Sequence, residues 1–324
     1  MFRILHRTAL GVLAAAALAF PAAAQEAPLS ALNFVPNHTS FGKPFADWVA
    51  DVNKKGKGIV QIQIKPPGAM SPFTMGNAIK NGVADMANLP ATFYQNLLPV
   101  GDAVKLTRIS FADYRKNGAW ALLNKLHNEK VNAQLLNIWG YPAQFHLYLR
   151  DKTISEANLK GLKLRVTPVY RAFFRALGAD LVQTAPAEVF TALERGTIDG
   201  YGWPLWDIKS LGWDKHTKYR IEPGFYHPAS QVIMNLDKWK KLAARQRNFL
   251  NREAIRFEAE FPKQGPALNA HYAKEQETAG VKVITLKGKA AAEYLRQAYE
   301  AGWAEVIKLD PVNGPALKKL IYDK

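Results

Sequence analysis

The stretch 159–204 constrains the fold most, because strand, helix, strand, helix and strand follow one another there almost without slack. Its first strand alternates, with Leu162 and Leu164 on one face and Arg165 on the other. Pro186 then opens the second of the two helices. Strands that alternate with helices at this spacing are typical of a mainly parallel sheet with helices on its faces. The chain is therefore predicted to be α/β.

The rest of the chain continues this alternation. Strands are predicted over 29–35 and 59–64, with a helix between them. Two strand-like segments within 134–149 then cross toward a second lobe. The region 236–280 is long, helical and rich in charge, and Pro262 is expected to kink or break it.

Residues 1–24 are predicted to be a cleavable secretion signal. An apolar run from Ala9 to Phe20 follows Arg3 and Arg7, and the small residues of 22–24 suit a cleavage site after Ala24. A membrane anchor is the alternative, but the run is shorter than the roughly 20 apolar residues that a spanning helix needs. The sequence contains no Cys, which excludes a lipid anchor at the cleavage site and any disulfide. The expected compartment is the periplasm.

The formal net charge of +16 favours anionic partners. Nucleic acid is not expected, because the basic residues are spread through helices in pairs such as Lys240-Lys241 and the compartment argues against it. A solvated basic surface is the ordinary interpretation of such charge.

Motifs of catalysis and metal binding are missing from the sequence. No HExxH, Walker, GxSxG or CxxC motif occurs, and the histidines fall at no metal-ligand spacing. Gly200-Tyr201-Gly202 resembles part of a dinucleotide loop, but Trp203-Pro204 follows where the helix of such a site would begin. The sequence therefore predicts no enzyme activity, no metal site and no cofactor. A periplasmic enzyme acting on an anionic substrate is the alternative, without a supporting acid–base pair.

Four linked motifs resemble a known family. They read LKGLKLRV at 159–166, ALGA at 176–179, EVFTAL at 188–193 and GTIDG at 196–200. At this spacing they look like the signature of the extracytoplasmic receptors of tripartite ATP-independent periplasmic (TRAP) transporters. Looser similarity at GVADMA and NLDKW extends the resemblance over nearly the whole mature chain.

The resemblance implies a periplasmic binding protein fold with two lobes, an interlobe ligand cleft and a long connecting helix. Lobe I is then expected to comprise 25–143 and 229–268, and lobe II 144–228 and 269–324. Such a receptor is expected to be a monomer that captures a small organic acid and delivers it to a membrane permease of the TRAP type. A binding protein for an ATP-driven importer or a sensor is the alternative, since a fold does not name its partner.

In the family, the arginine at the position of Arg165 pairs with the ligand carboxylate through both guanidinium nitrogens. The planar, permanently charged fork of arginine suits that role. Alternation alone favours an ordinary solvated arginine on a polar strand face. The surrounding motif reverses that preference.

The chain also departs from the family pattern. Many members have an Asn that contacts the ligand where this chain has Trp203, an aromatic residue often stands where Pro186 is, and 143–146 holds no second arginine. Because hydroxyl-rich ligands need several convergent polar partners, these losses favour a monocarboxylate with an apolar or aromatic body.

Further pocket candidates follow from position. Carboxyl ends of parallel strands are where α/β proteins usually bind ligands. The pocket candidates at such ends are His38 and Thr39 after the first strand, and Phe93 and Tyr94 after the third. Residues near the predicted crossing between lobes either contact the ligand or line the hinge, and those predicted to contact it are Gln144 and Phe145.

Overall fold

A computed structural model describes residues 25–323 of the chain. The predicted secretion signal at 1–24 lies outside the described residues. In the described part, every helix is too short or too polar to span a bilayer.

The described residues form eleven strands in two sheets. In chain order the strands are β1 Ala27–Asn33, β2 Val60–Ile64, β3 Met86–Pro90, β4 Ala133–Trp139, β5 Phe145–Leu149, β6 Lys163–Val166, β7 Asp180–Gln183, β8 Gly200–Pro204, β9 Tyr219–Phe225, β10 Ser230–Asn235 and β11 Lys282–Thr285.

Helices separate most of these strands. They are α1 Lys43–Lys55, α2 Pro72–Lys80, α3 Tyr114–Asn117, α4 Ala119–Val131, α5 Pro168–Ala176, α6 Val189–Glu194, α7 Leu236–Lys241, α8 Ala244–Glu260, α9 Gly265–Thr278, α10 Gly288–Leu309 and α11 Asn313–Ile321. Short 3-10 helices occur at Ala91–Tyr94, Pro99–Leu106, Phe111–Asp113, Pro186–Glu188, Trp213–His216 and Phe261–Gln264.

The first sheet has the strand order β2-β1-β3-β10-β4. β1 pairs in parallel with β2 and β3, and β10 runs antiparallel between β3 and β4. Helix α1 shows how the sequence builds this lobe: Phe45, Trp48, Val49 and Val52 are all buried and share one helix face at spacings of three and four. That face packs on β2.

The second sheet has the order β11-β9-β5-β8-β6-β7. Its βαβ core is the run 159–204, in which β6 pairs in parallel with both β7 and β8. Pro168 lies in the first turn of α5, after Thr167 in extended backbone, which ends β6 and starts the helix in two residues. The carboxyl ends of β6 and β8 therefore lie side by side.

The chain crosses between the two lobes at 140–144, 226–229 and 261–265, among other places in the described residues. These three segments pack closely on one another. A Cβ on Gly140, whose φ is +123°, would lie 2.5 Å from the carbonyl oxygen of Pro228, and a Cβ on Gly265 would lie 2.1 Å from Cδ of Pro142. Only glycine permits these approaches.

The two-lobed α/β prediction is confirmed, including the long connecting helix and its break. The 3-10 turn Phe261–Gln264, which contains Pro262, separates α8 from α9. β9 and β10 are not among the strands predicted from the sequence. The lobe boundaries stay a prediction, and they assign 269–324 to lobe II, whereas α11 contacts α3 and α4 of the first lobe.

Candidate functional site

A small cavity of about 50 Å³ lies between the lobes, where the chain crosses from one to the other. The first lobe contributes residues that follow β1, residues at and just after the end of β3, and part of the 3-10 helix Pro99–Leu106. They are Phe34, Phe41, Pro90, Thr92, Phe93, Asp102 and Lys105. The second lobe contributes residues at the start of β5 and α5 and at the end of β8: Phe145, Thr167, Val169, Tyr170, Trp203 and Pro204. The crossing segment and β10 complete it with His227, Pro228, Ala229 and Ser230.

Arg165 lies in β6 and is completely buried. Its Nε and Nη2 donate to the carbonyl oxygen of Thr184 at 3.2 and 2.9 Å, and its Nη1 donates to the Tyr170 hydroxyl at 2.9 Å. A guanidinium has five N–H groups. One N–H on each Nη therefore has no partner within residues 25–323, so two donors remain for a ligand.

The charge of Arg165 is not balanced by any carboxylate in the described part of the chain. A buried cation without an anionic partner is costly, because the desolvation penalty is not offset by a charge of opposite sign. Arg165 is not itself in the cavity wall. It is one contact away, hydrogen-bonded to Tyr170 and 5.9 Å from the ring centre of Trp203, and both of these residues line the cavity.

Aromatic rings make up much of the second-lobe wall. The ring of Tyr170 packs on Phe145 with centroids 5.6 Å apart, and Trp203 packs edge-on against Trp213 at 4.7 Å. Tyr170 lies directly on β8, because Gly202 has no side chain there: a Cβ on it would approach the Tyr170 ring to 2.5 Å. The Tyr170 hydroxyl donates to the carbonyl oxygen of Gly202, which fixes the ring against the strand.

The first-lobe wall contains a charged pair that the sequence analysis missed. Lys105 donates to Asp102, and both side chains are buried. Burial raises the pKa of Asp102 to about 6, and the Lys105 ammonium opposes that increase. A spacing of three residues is the one signal of this pair in the sequence, and the exposed pair Lys116–Asp113 has the same spacing.

His227 lines the cavity from the crossing segment. Its Nδ1 lies 2.8 Å from the carbonyl oxygen of Ala143, so Nδ1 carries the proton. Burial lowers the pKa of His227, which favours the neutral ring. In that form Nε2 is an acceptor.

The structure brings together four of the sequence-predicted site residues: Phe93, Phe145 and Trp203 line the cavity, and Arg165 contacts its wall. The other five lie elsewhere. Tyr94 is in the core, where its hydroxyl bonds His127 and Gln231.

His38 and Thr39 lie in a separate groove of about 400 Å³ beside α1, and the Thr39 side chain closes its own turn through Pro36 and Gly42. Gln144 is in the crossing and Pro186 is buried in its 3-10 helix, and neither lines the cavity.

Direct contacts hold the lobes together beside the cavity. Trp206 of the second lobe stacks on Phe41 of the first with centroids 5.5 Å apart. The Asp207 carboxylate accepts a hydrogen bond from the backbone N–H of Ser40 in the first lobe, and within its own lobe it accepts one from the hydroxyl of Ser210. Because these contacts join the two lobes directly, the cleft between them is closed in this structure.

Two α/β lobes closing over a small cavity at the carboxyl ends of their strands define the class of protein as a ligand-binding receptor of the two-lobed type. The chain belongs to the bacterial extracellular solute-binding proteins of family 7, whose family model matches residues 33–309. This is the family of TRAP transporter receptors, so the resemblance of the four motifs is confirmed.

Individual relatives agree with that family. A solute-binding protein of Verminephrobacter eiseniae is 31% identical over 179 residues, which are 54% of this chain and 49% of that protein. A monocarboxylate 2-oxoacid-binding periplasmic protein of Nostoc sp. is 25% identical over 48% of this chain and 45% of that protein. The chain thus matches about half the length of these two relatives.

A solved structure shows the same fold. The TRAP periplasmic solute-binding protein of Desulfovibrio salexigens, crystallised with orotic acid, superposes with a TM-score of 0.82 at 19% identity. The match covers 91% of this chain and 97% of that one.

Proposed function

We propose that this protein is the periplasmic receptor of a TRAP transporter. It captures a small monocarboxylate with an apolar or aromatic body in the interlobe cavity, leaves it chemically unchanged and delivers it to the membrane permease. Family membership supports the transport role. The observation that carries the choice of a carboxylate is the buried charge of Arg165, which within residues 25–323 has no carboxylate partner and leaves two N–H groups unpaired.

A carboxylate matches those two donors. Arginine binds carboxylates through two parallel N–H···O bonds, which are stronger than hydrogen bonds between neutral groups. The first turn of α5, with Val169 and Tyr170, also lines the cavity. The positive end of the helix dipole and the free N–H groups of a first turn favour an anion at the same position.

Size and polarity of the cavity favour a short, largely apolar body. Since one buried water needs roughly 10–15 Å³, a cavity of about 50 Å³ holds only a few groups of that size in this closed form. Aromatic side chains from both lobes line it, Phe93 and Trp203 among them. The 2-oxoacids bound by the Nostoc relative are small monocarboxylates, and orotic acid is a monocarboxylate on a flat ring.

A thermal-shift screen of organic acids tests this proposal. Short monocarboxylates, aliphatic and aromatic, are expected to raise the melting temperature by several degrees, because a ligand present at a hundred times its Kd stabilises the folded state by about 2.7 kcal/mol. Succinate and sialic acid are expected to give little shift, since they demand polar partners that the apolar wall does not supply. A largest shift from either of these two acids would contradict the proposal.

A further inference from the structure

We propose that Lys105, Asp102 and Thr92 form a second subsite in the cavity, which selects a monocarboxylate that carries one neutral hydroxyl group. This inference rests on the proposed function, because it names the second contact of a ligand whose carboxylate binds Arg165.

The charged pair has unused hydrogen-bonding capacity. Lys105 Nζ makes one hydrogen bond within residues 25–323, to Asp102 Oδ2, and lies 5.6 Å from the centre of the Tyr226 ring. An ammonium has three N–H groups. Two of them, and the Oδ1 atom of Asp102, therefore have no protein partner in the described residues. Both side chains line the cavity, so a ligand atom is the partner that their position allows.

Thr92 provides an independent observation on the same wall. It lies in the 3-10 helix that follows β3, is 2% exposed and lines the cavity. Its Oγ1 is fully buried and has no hydrogen-bond partner among residues 25–323. Buried hydroxyls are normally paired, since an unpaired one costs free energy. A polar ligand group in the cavity removes that cost.

The hydrogen-bonding groups and charges of Lys105 and Asp102 favour one kind of polar ligand group over others. Lys105 offers donors next to the acceptor oxygen of Asp102, and a hydroxyl is the small neutral group that both accepts and donates. A second carboxylate is repelled by Asp102, and an ammonium is repelled by Lys105. A keto oxygen accepts from Lys105 but leaves Asp102 unmatched. The subsite therefore selects one hydroxyl over a second charge.

A structural role for the pair predicts a different result. A Lys–Asp pair at a spacing of three residues also stabilises its own helical turn. If that were its only role, substituting it would change the affinity for every ligand equally. Selection by the subsite instead makes the effect depend on whether the acid carries a hydroxyl.

Isothermal titration calorimetry on the mature protein separates these roles. The probes are propionate with lactate and 3-hydroxypropionate, and benzoate with 3-hydroxybenzoate. We expect at least one hydroxylated acid to bind about tenfold or more tightly than its parent, as a hydrogen bond to a charged group allows. The double variant Lys105→Met/Asp102→Leu is expected to lose this preference, so that it binds each hydroxylated acid no more tightly than the parent acid. Because both partners are replaced, neither Lys105 nor Asp102 remains as an unpaired buried charge, so folding is retained.

Two single variants sharpen the test. Thr92→Val removes only the unpaired hydroxyl, so it is expected to reduce the preference severalfold without lowering the melting temperature. Lys116→Met is the matched control, because Lys116 forms a pair of the same spacing with Asp113 on the exposed surface. It is expected to bind like the unmodified protein.

The inference is overturned if each parent acid binds the unmodified protein as tightly as its hydroxylated partner, or if the preference persists in the double variant. Failure of the proposed function looks different, because then none of the acids binds, the parents included, and the inference falls with it.

Discussion

Replacing Arg165 by Ala is expected to weaken monocarboxylate binding by about 2–5 kcal/mol, which is a loss of roughly thirtyfold to several thousandfold in affinity. The substitution removes the guanidinium charge next to the cavity wall and, with it, the two N–H groups that have no partner within residues 25–323. Arg165→Lys is expected to recover little of the lost affinity, because an ammonium does not provide the planar fork of a guanidinium. Calorimetry with the tightest acid from the thermal-shift screen measures both effects.

Two controls accompany this experiment. Arg175→Ala removes an exposed arginine from α5 and is expected to leave the affinity unchanged. Arg165→Met keeps most of the buried volume, and its melting temperature shows whether folding is retained. An unchanged affinity in a folded Arg165→Ala or Arg165→Met protein would refute the role of this residue.

Trp203→Asn is expected to reverse part of the ligand preference. The indole lines the cavity and is 7% exposed. Losing such a wall costs an apolar ligand about 1.5–3 kcal/mol, roughly tenfold to a hundredfold in affinity. The new amide offers a donor and an acceptor, so sialic acid or succinate is expected to bind better than it binds to the unmodified protein. Competition calorimetry with these acids and the tightest monocarboxylate measures the change.

Trp203→Phe is the matched control, because it keeps an aromatic wall and is expected to keep the preference for the monocarboxylate. Melting temperatures are needed alongside, since Trp203 also packs on Trp213. Equal losses for all acids in Trp203→Asn would show that the residue supports the fold and does not select the ligand.

The fold was predictable where the hydrophobic periodicity of the segments and the short loops between them indicate the same topology. In 159–204 short loops force each helix back onto its own sheet, so periodicity alone predicts the topology. Local periodicity does not predict the strands β9 and β10. β9 contains Pro223-Gly224, which reads as a turn, and β10 pairs antiparallel with two strands that lie more than ninety residues earlier in the chain. Only the closed tertiary structure shows these pairings.

The residues in and next to the candidate cavity were predictable to a similar extent. Arg165, Phe93, Phe145 and Trp203 follow from the family resemblance and from strand ends or crossings. The place of Lys105 and Asp102 in the cavity wall could not be predicted from the sequence. Their burial depends on Tyr226 and α10, which come from distant parts of the chain.

Two candidates chosen for their position after a strand do not line the interlobe cavity. Thr39 follows β1, but its turn faces the outer groove beside α1. Tyr94 follows β3, but it is the last residue of a 3-10 helix and points into the core, where its hydroxyl is already paired. Strand order predicts which edge of a sheet carries a ligand site. It does not predict which way the side chain of each loop residue points.

A crystal structure with the tightest monocarboxylate from the screen tests the central claim most directly. The ligand is expected between the lobes, with its carboxylate oxygens about 2.7–2.9 Å from Nη1 and Nη2 of Arg165, the usual range for charge-assisted bonds. Its body is expected against Trp203 and Phe93. A carboxylate bound outside the cavity, or paired with Lys105 while Arg165 keeps only Thr184 and Tyr170 as partners, would contradict the account.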